Sequence, residues 1–201
     1  MGLPEFVSRQ LSNPTGLGGR LIRRGMNRGN AAMNQEAVDR LGASAGDRVL
    51  DVGFGGGVIF ELLLDRGVEA AGIDRSAHAV DAVEASNRPA IEAGRLQVRR
   101  AEVESIPFED GSFDGVVTVN TVYFWPDLGA GLAEVLRVLK PGGRIVVAIR
   151  DGSVMKRVSR DIFTLRSPEE VLGAISAAGF VEGRIDTVGD GARHHLVAVR
   201  P

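Results

Sequence analysis

From Asp47 onward, short apolar or β-branched runs alternate with helical segments, and this alternation constrains the fold more than any other feature. Such a rhythm is the mark of a parallel sheet wrapped by helices, because parallel neighbours need long crossover connections. The runs are Arg48–Val52, Glu69–Ile73, Leu96–Arg99, Gly115–Val119, Arg144–Ile149, Val181–Val188 and His195–Val199. Helices are expected between them over Gly56–Leu64, Ser76–Ala93, Leu128–Leu139 and Ser167–Ala178. The last has a well-formed start, with Ser167 as cap, Pro168 in the first turn and Glu170 three residues past the cap. It stops at Gly179. Only Gly189 to His194 separate the final two strands, too few residues for a crossover, so that pair reads as an antiparallel hairpin. The expected fold is therefore α/β: a doubly wound, seven-stranded, mostly parallel sheet with an antiparallel final strand. Residues 1–45 read as an N-terminal helical arm of the same domain as 46–201, with helical spacing over Leu17–Asn27 and Asn30–Leu41.

The first strand, Val49-Leu50-Asp51-Val52-Gly53, runs into Phe54-Gly55-Gly56-Gly57 and then a helix. Glycines let a backbone turn tightly and approach a ligand, and in an open α/β sheet the ligand crevice lies outside the carboxyl ends of the strands. A dinucleotide fingerprint, G-x-G-x-x-G, does not fit. Counted from Gly53 its third glycine falls on Val58, and counted from Gly55 on Phe60. The pattern is Asp-x-Gly-x-Gly-x-Gly, whose strand-end carboxylate would repel a pyrophosphate and suits a cationic ligand, such as a sulfonium cofactor bearing an ammonium group. Asp51, Gly53, Gly55 and Gly57 are the first candidate cofactor residues. Asp74 closes the second strand, 17 residues past the last loop glycine. A carboxylate there can accept hydrogen bonds from both hydroxyls of a ribose, and Ser76 then caps the next helix.

Two further blocks carry a family resemblance. Glu102-Val103-Glu104-Ser105-Ile106-Pro107-Phe108, continuing to Ser112-Phe113-Asp114, and Glu134-Val135-Leu136-Arg137-Val138-Leu139-Lys140-Pro141-Gly142-Gly143 follow the loop and Asp74 in order. Together the four blocks, over roughly residues 35–150, resemble class I S-adenosylmethionine-dependent methyltransferases, in particular the small-molecule group similar to the ubiquinone and menaquinone biosynthesis enzymes. The resemblance implies S-adenosylmethionine as cofactor and S-adenosylhomocysteine as product. It implies that Glu102 accepts from the adenine amine, that the Val103 N–H meets the adenine ring, and that Asn120 lies near the methionine moiety. Arg75, beside Asp74, joins the cofactor set. The Lys140–Gly143 turn reads as structural.

Methyl transfer to an alcohol needs a general base within hydrogen-bond reach. The chain has three histidines. His78 falls on a helix surface; His194 and His195 open the last strand, one facing each side of the sheet. His195, His194, Tyr123 and Asp127 are the catalytic candidates, with Asp114 a further acid. The chain's Tyr and Trp occur together in Tyr123-Phe124-Trp125-Pro126, a core cluster or an aromatic wall against acceptor and sulfonium.

Composition narrows the rest. The formal charge is −2, which offers no global attraction for nucleic acid or an anionic membrane. There is no cysteine, so disulfides, thiolate nucleophiles and cysteine metal sites are excluded. No Asn/Asp-Pro-Pro-Tyr/Phe motif of nucleic-acid amino-methylating enzymes occurs, and no metal site is expected. No run approaches the roughly 20 apolar residues of a membrane span, and no signal pattern opens the chain, so a cytoplasmic location is expected. Basic residues are almost all Arg, which with the Ala and Gly load points to a GC-rich bacterial genome. The expected function is O-methylation of a small molecule, a sugar or other polar metabolite. Arg20 to Asn34 would form a lid of hydrogen-bond donors, and a homodimer is left open. A C-methyltransferase acting on a quinone-like or lipid acceptor and a non-catalytic cofactor-binding protein are the alternatives.

Overall fold

The computed structural model of the protein describes residues 30–150, 166–189 and 191–201. The expected helix over Leu17–Asn27, and the basic stretch around it, lie outside the described residues. Seven strands, β1 (Arg48–Val52), β2 (Glu69–Asp74), β3 (Leu96–Arg100), β4 (Phe113–Val119), β5 (Leu139–Arg150), β6 (Val181–Val188) and β7 (Arg193–Val199), form one sheet in the order β3-β2-β1-β4-β5-β7-β6. The first five are parallel where they pair. β7 runs antiparallel to both β5 and β6, as the short connection requires. The helices are α1 (residues 30–41), α2 (Val58–Leu64), α3 (Ala77–Ser86), α4 (Arg88–Glu92), α5 (Leu128–Val138) and α6 (Pro168–Ala177).

Alternation of side chains along the strands builds two cores. On β5, Ile145, Val147 and Ile149 pack with Leu132 and Val135 of α5 and with Val171 and Ile175 of α6. The intervening Val146 and Ala148 face the other layer, where Met33, Ala37 and Leu41 of α1 meet Phe60 and Leu63 of α2 and Val80 and Val83 of α3. Burial on both faces explains why the central strands read as continuous apolar runs.

Two expectations need correction. The single helix expected over Ser76–Ala93 is two, α3 and α4, separated at Asn87. Pro89 has no N–H and its ring would strike the carbonyl one turn earlier, so the chain restarts there with Pro in the first turn. β5 begins at Leu139, which pairs with Phe113; the register then shifts and resumes at Arg144 opposite Gly115. The Lys140–Gly143 turn is thus a bulged lead-in to the strand, with Gly142 at φ +78°. The α6 cap is as expected: Ser167 Oγ accepts the Glu170 N–H at 3.1 Å and Glu170 accepts the Ser167 N–H at 2.6 Å.

Ion pairs fix α1 on its layer. Arg193 donates to both Glu36 oxygens at 3.1 and 3.0 Å, Arg40 pairs with Asp186 at 3.2 Å, and Arg144 donates to the carbonyls of Arg40 and Leu41. Gly72, in the middle of β2, marks the tightest contact beneath the opposite end of the sheet: a Cβ there would lie 2.4 Å from the Phe60 ring and 2.6 Å from Phe54. Gly72→Ala should destabilise the fold by about 1–3 kcal/mol, the usual range for overpacking a core. A lowered urea midpoint would show it; an unchanged midpoint would mean that the two rings yield freely.

Candidate cofactor and acceptor site

Strand order reverses where β1 lies between β2 and β4, and a cavity opens there at the carboxyl ends of these strands. Its wall takes in Asp51, Gly53, Gly55, Asp74, Arg75, Glu102, Val103 and Asn120, eight of the nine residues expected to hold a cofactor. Gly57 is the exception. It sits at the N-cap of α2 with φ +73°, and a Cβ there would meet Val83 and Phe60 at 2.9 and 3.2 Å, so its glycine serves packing and turn.

Asp51 is buried, and its Oδ2 has no hydrogen-bond partner among the described residues. Burial first, and then the charge of Asp74, push its pKa well above the usual carboxylate range. Asp74 is also raised by burial, against the pull of two backbone donors, Ser76 N–H at 2.8 Å and Gly55 N–H at 2.9 Å. Each donor engages a different oxygen, so the carboxylate plane is fixed and each oxygen keeps a further lone pair. Gly53, at φ +77°, lets Thr121 close over the loop; a Cβ would lie 2.6 Å from its methyl. Above Gly55, at φ +51°, a Cβ would meet nothing within 4 Å. An orphaned buried carboxylate oxygen beside open space over a glycine fits a ligand that carries a cation.

Glu102 and Val103 follow β3, on a loop that a second block of sequence holds in place. Glu134 of α5 accepts the Ile106 N–H at 2.9 Å; Arg137 donates to the Ile106 and Phe108 carbonyls at 2.8 and 2.9 Å and pairs with Glu134 and Asp110. The Glu134-to-Arg137 stretch, legible only as a helix before a turn, therefore braces the 102–110 loop. The signal for it was the charged pair at i, i+3 on an otherwise apolar helix.

The four catalytic candidates do not line the cavity. Tyr123 is buried, its hydroxyl donating to the Arg150 carbonyl at 2.9 Å and accepting the Arg150 N–H at 2.8 Å, which pins the end of β5. Asp127 caps α5, accepting the Ala130 N–H at 2.9 Å. His194 and His195 do face opposite sides of the sheet. His194 meets Thr187 at 3.0 Å. His195 is fully buried under α1, 3.5 Å from the Met33 carbonyl and from Glu36. Burial, aided by Arg40, holds it below the usual imidazole range. Asp114 lies away from the cavity too, bound by Lys140 and the Arg48 N–H. Sequence reasoning placed Phe124, Trp125 and Asn34 only generally; all three line the cavity, and Trp125 is also core, packed on Gly131. Among the described residues no acidic or histidine cluster could hold a metal ion, and no helix is long and apolar enough to cross a membrane.

Residues 50–147 match the family profile described as a methyltransferase domain. Over that span, just under half of the chain, it matches the class I S-adenosylmethionine-dependent methyltransferases. It is 33% identical over 117 residues to the O-methyltransferase resE of Aspergillus sclerotiorum, covering 58% of this chain and 44% of the relative. It is 37% identical over 113 residues to 24-methylenesterol C-methyltransferase 2 of Oryza sativa subsp. japonica, covering 56% of this chain and 31% of the relative. The chain spans about half the length, or less, of such curated relatives. Among solved structures it resembles the putative methyltransferase in complex with the Haloferax volcanii Trm112 methyltransferase activator, with a TM-score of 0.79 at 23% identity over 89% of this chain and 92% of that one. Relatives named for transfer to oxygen and to carbon both align with this chain, so the likeness does not separate acceptor classes and leaves the quinone-biosynthesis subgroup an expectation.

The S-adenosylmethionine fit makes two predictions. The raised pKa of Asp51 means that its ionised form is less stable in the fold than in the unfolded chain. That cost is present at neutral pH, shrinks as pH falls below the folded-state pKa, where the group protonates in the fold, and is gone below the unfolded value. Asp51→Asn should therefore raise the melting temperature of the ligand-free protein by a few degrees at pH 7, and by less at pH 4. Equal melting points at pH 7 would contradict the burial argument. Arg137→Ala, which touches no part of the cavity, should weaken S-adenosylmethionine binding by roughly tenfold (about 1.4 kcal/mol) by freeing the 102–110 loop. Titration calorimetry would measure it.

Proposed function

We propose that this protein transfers a methyl group from S-adenosylmethionine to a hydroxyl of a small molecule. The observation that carries the reading is the convergence of three acids, Asp51, Asp74 and Glu102, on one cavity at the strand ends. In this reading Asp74 receives the ribose hydroxyls, on lone pairs that its two backbone donors leave open. Glu102 and the Val103 N–H take the adenine, with Arg75 beside them. Asp51 and Asn120 face the methionine ammonium, which offsets the cost of burying Asp51 as an anion. Gly53 and Gly55 keep the loop backbone close to the ligand.

When bound, S-adenosylmethionine supplies an electrophilic methyl carbon on sulfur, so the chain need only align a nucleophile and keep water away. Phe124 and Trp125 supply an apolar wall for water exclusion. Among the described residues the cavity wall holds no imidazole, and its three acids are engaged with cofactor in this reading. As the C–O bond forms and the S–CH3 bond breaks, the hydroxyl proton therefore passes to solvent water and S-adenosylhomocysteine is left. Transfer to oxygen is favoured over carbon by O-methyltransferase relatives at 30–33% identity.

Asp74→Ala removes both ribose acceptors and the anchor of Gly55. It should weaken S-adenosylmethionine binding by at least roughly 30-fold (about 2 kcal/mol or more). Calorimetric titration of the variant against wild type tests this, and undiminished affinity would overturn the assignment of the cavity.

A further inference from the structure

Asn34 is 7% exposed and lines the cavity, yet among the described residues it has no side-chain hydrogen bond. With the residue almost wholly covered and no partner inside the protein, its amide opens onto the cavity, where a ligand or solvent must satisfy it. Asn30 lies one turn earlier on the same face of α1 and also lines the cavity.

The polarity of Asn30 follows from its neighbours. An arginine can only donate, so the atom of Asn30 that meets Arg150 Nη2 at 3.0 Å is its oxygen. That oxygen also receives Asn120 Nδ2 at 3.3 Å, and Asn120 Nδ2 lies 3.5 Å from Met33 Sδ. With its oxygen engaged twice, Asn30 has only its NH2 group left to offer. Asn120 is the complement: its nitrogen is engaged and its buried Oδ1 has no partner among the described residues. Asn120 is also held in left-handed backbone, φ +58°, where it ends β4. Three carboxamides from two distant parts of the chain therefore converge on one end of the cavity.

We propose that Asn30 and Asn34 bind the methyl acceptor and select a neutral, hydroxylated small molecule. This rests on the methyl-transfer reading above, in which Asn120 Oδ1 is turned to the cofactor ammonium. Asn30 then donates to an acceptor oxygen, and Asn34, with both halves of its amide available, can donate to one hydroxyl and accept from another. An alkyl chain at this place would leave the Asn34 amide unsatisfied, and an ionised group would find no opposite charge on either amide. The acceptor site is therefore built on α1, and the ion pairs of Glu36 and Arg40 position it.

The test compares wild type with Asn34→Leu, Asn34→Ser and Asn30→Ala. Affinity for S-adenosylmethionine is measured by calorimetry. Transfer from methyl-labelled S-adenosylmethionine, held at saturation, is measured into an aqueous methanol extract and a chloroform extract of bacterial cells. The expected result is label in the aqueous fraction with wild type, reduced at least about tenfold in Asn34→Leu and Asn30→Ala, at cofactor affinity within about twofold of wild type. Asn34→Ser, which keeps a hydrogen-bonding group, should retain more activity than Asn34→Leu and carries the test if the leucine variant does not fold. Label confined to the chloroform fraction, or transfer undiminished in the variants, overturns the proposal and leaves the methyl-transfer reading standing. A cofactor affinity weakened tenfold or more in folded variants overturns it as well, by placing the two amides on the donor. No label in either fraction with cofactor binding intact removes the methyl-transfer reading, and this proposal with it.

Discussion

A parallel sheet buries both faces only if its crossovers pass to both sides, and here the change of side falls between β1 and β4. β1 leads to β2 through α2 on one layer, while the chain after β4 passes into α5 on the other. No crossover covers the carboxyl ends of these neighbouring strands, so the sheet opens there. Every candidate cofactor residue that lines the cavity sits on a strand end or first turn around that opening. The gap is a consequence of winding direction, and the glycines of the loop after β1 only shape it.

Within the opening, buried negative charge is managed locally. Asp74 is held by two backbone N–H groups, which fixes it without consuming its capacity to accept more. Asp51 has no such support for its Oδ2 and sits beside Asp74, so its ionised form is disfavoured until a cation arrives. A ligand-free protein that carries this cost gains more from binding than one whose site is already satisfied. Stability and binding are then opposed at one residue, a common arrangement where a functional site is preorganised.

Two devices outside the cavity hold its walls. One is the Glu134 and Arg137 pair on α5, which grips the backbone of the 102–110 loop. The other is the set of arginines that fasten α1 across β5, β6 and β7. Half-buried pairs of this kind contribute modestly to stability on their own. Their effect here is positional, because each fixes a segment whose other face reaches the site.

The sequence by itself determined the strand-helix alternation, the antiparallel last strand, the capping of α6 and the acids at the strand ends. These are local facts: side-chain period, turn length and the residue that ends a strand can be read from neighbours in the chain. The acids that line the cavity were legible for the same reason, since Asp51, Asp74 and Glu102 each lie at or just past the end of a strand that the pattern already defined. Only the tertiary structure decided the fate of the other candidates. His195 is under α1 and Tyr123 is spent on Arg150, because packing partners more than 20 residues away determine which atoms stay free; Asp127 is taken by the start of its own helix, as the cap of α5. It likewise brought Asn30 against Asn120, some 90 residues distant, and Asn34 onto the same cavity, a meeting of helix and strand end that no local spacing could announce. The strand-end acids of the cavity were readable from sequence; the amides proposed to meet the acceptor come together only where α1 closes over β4.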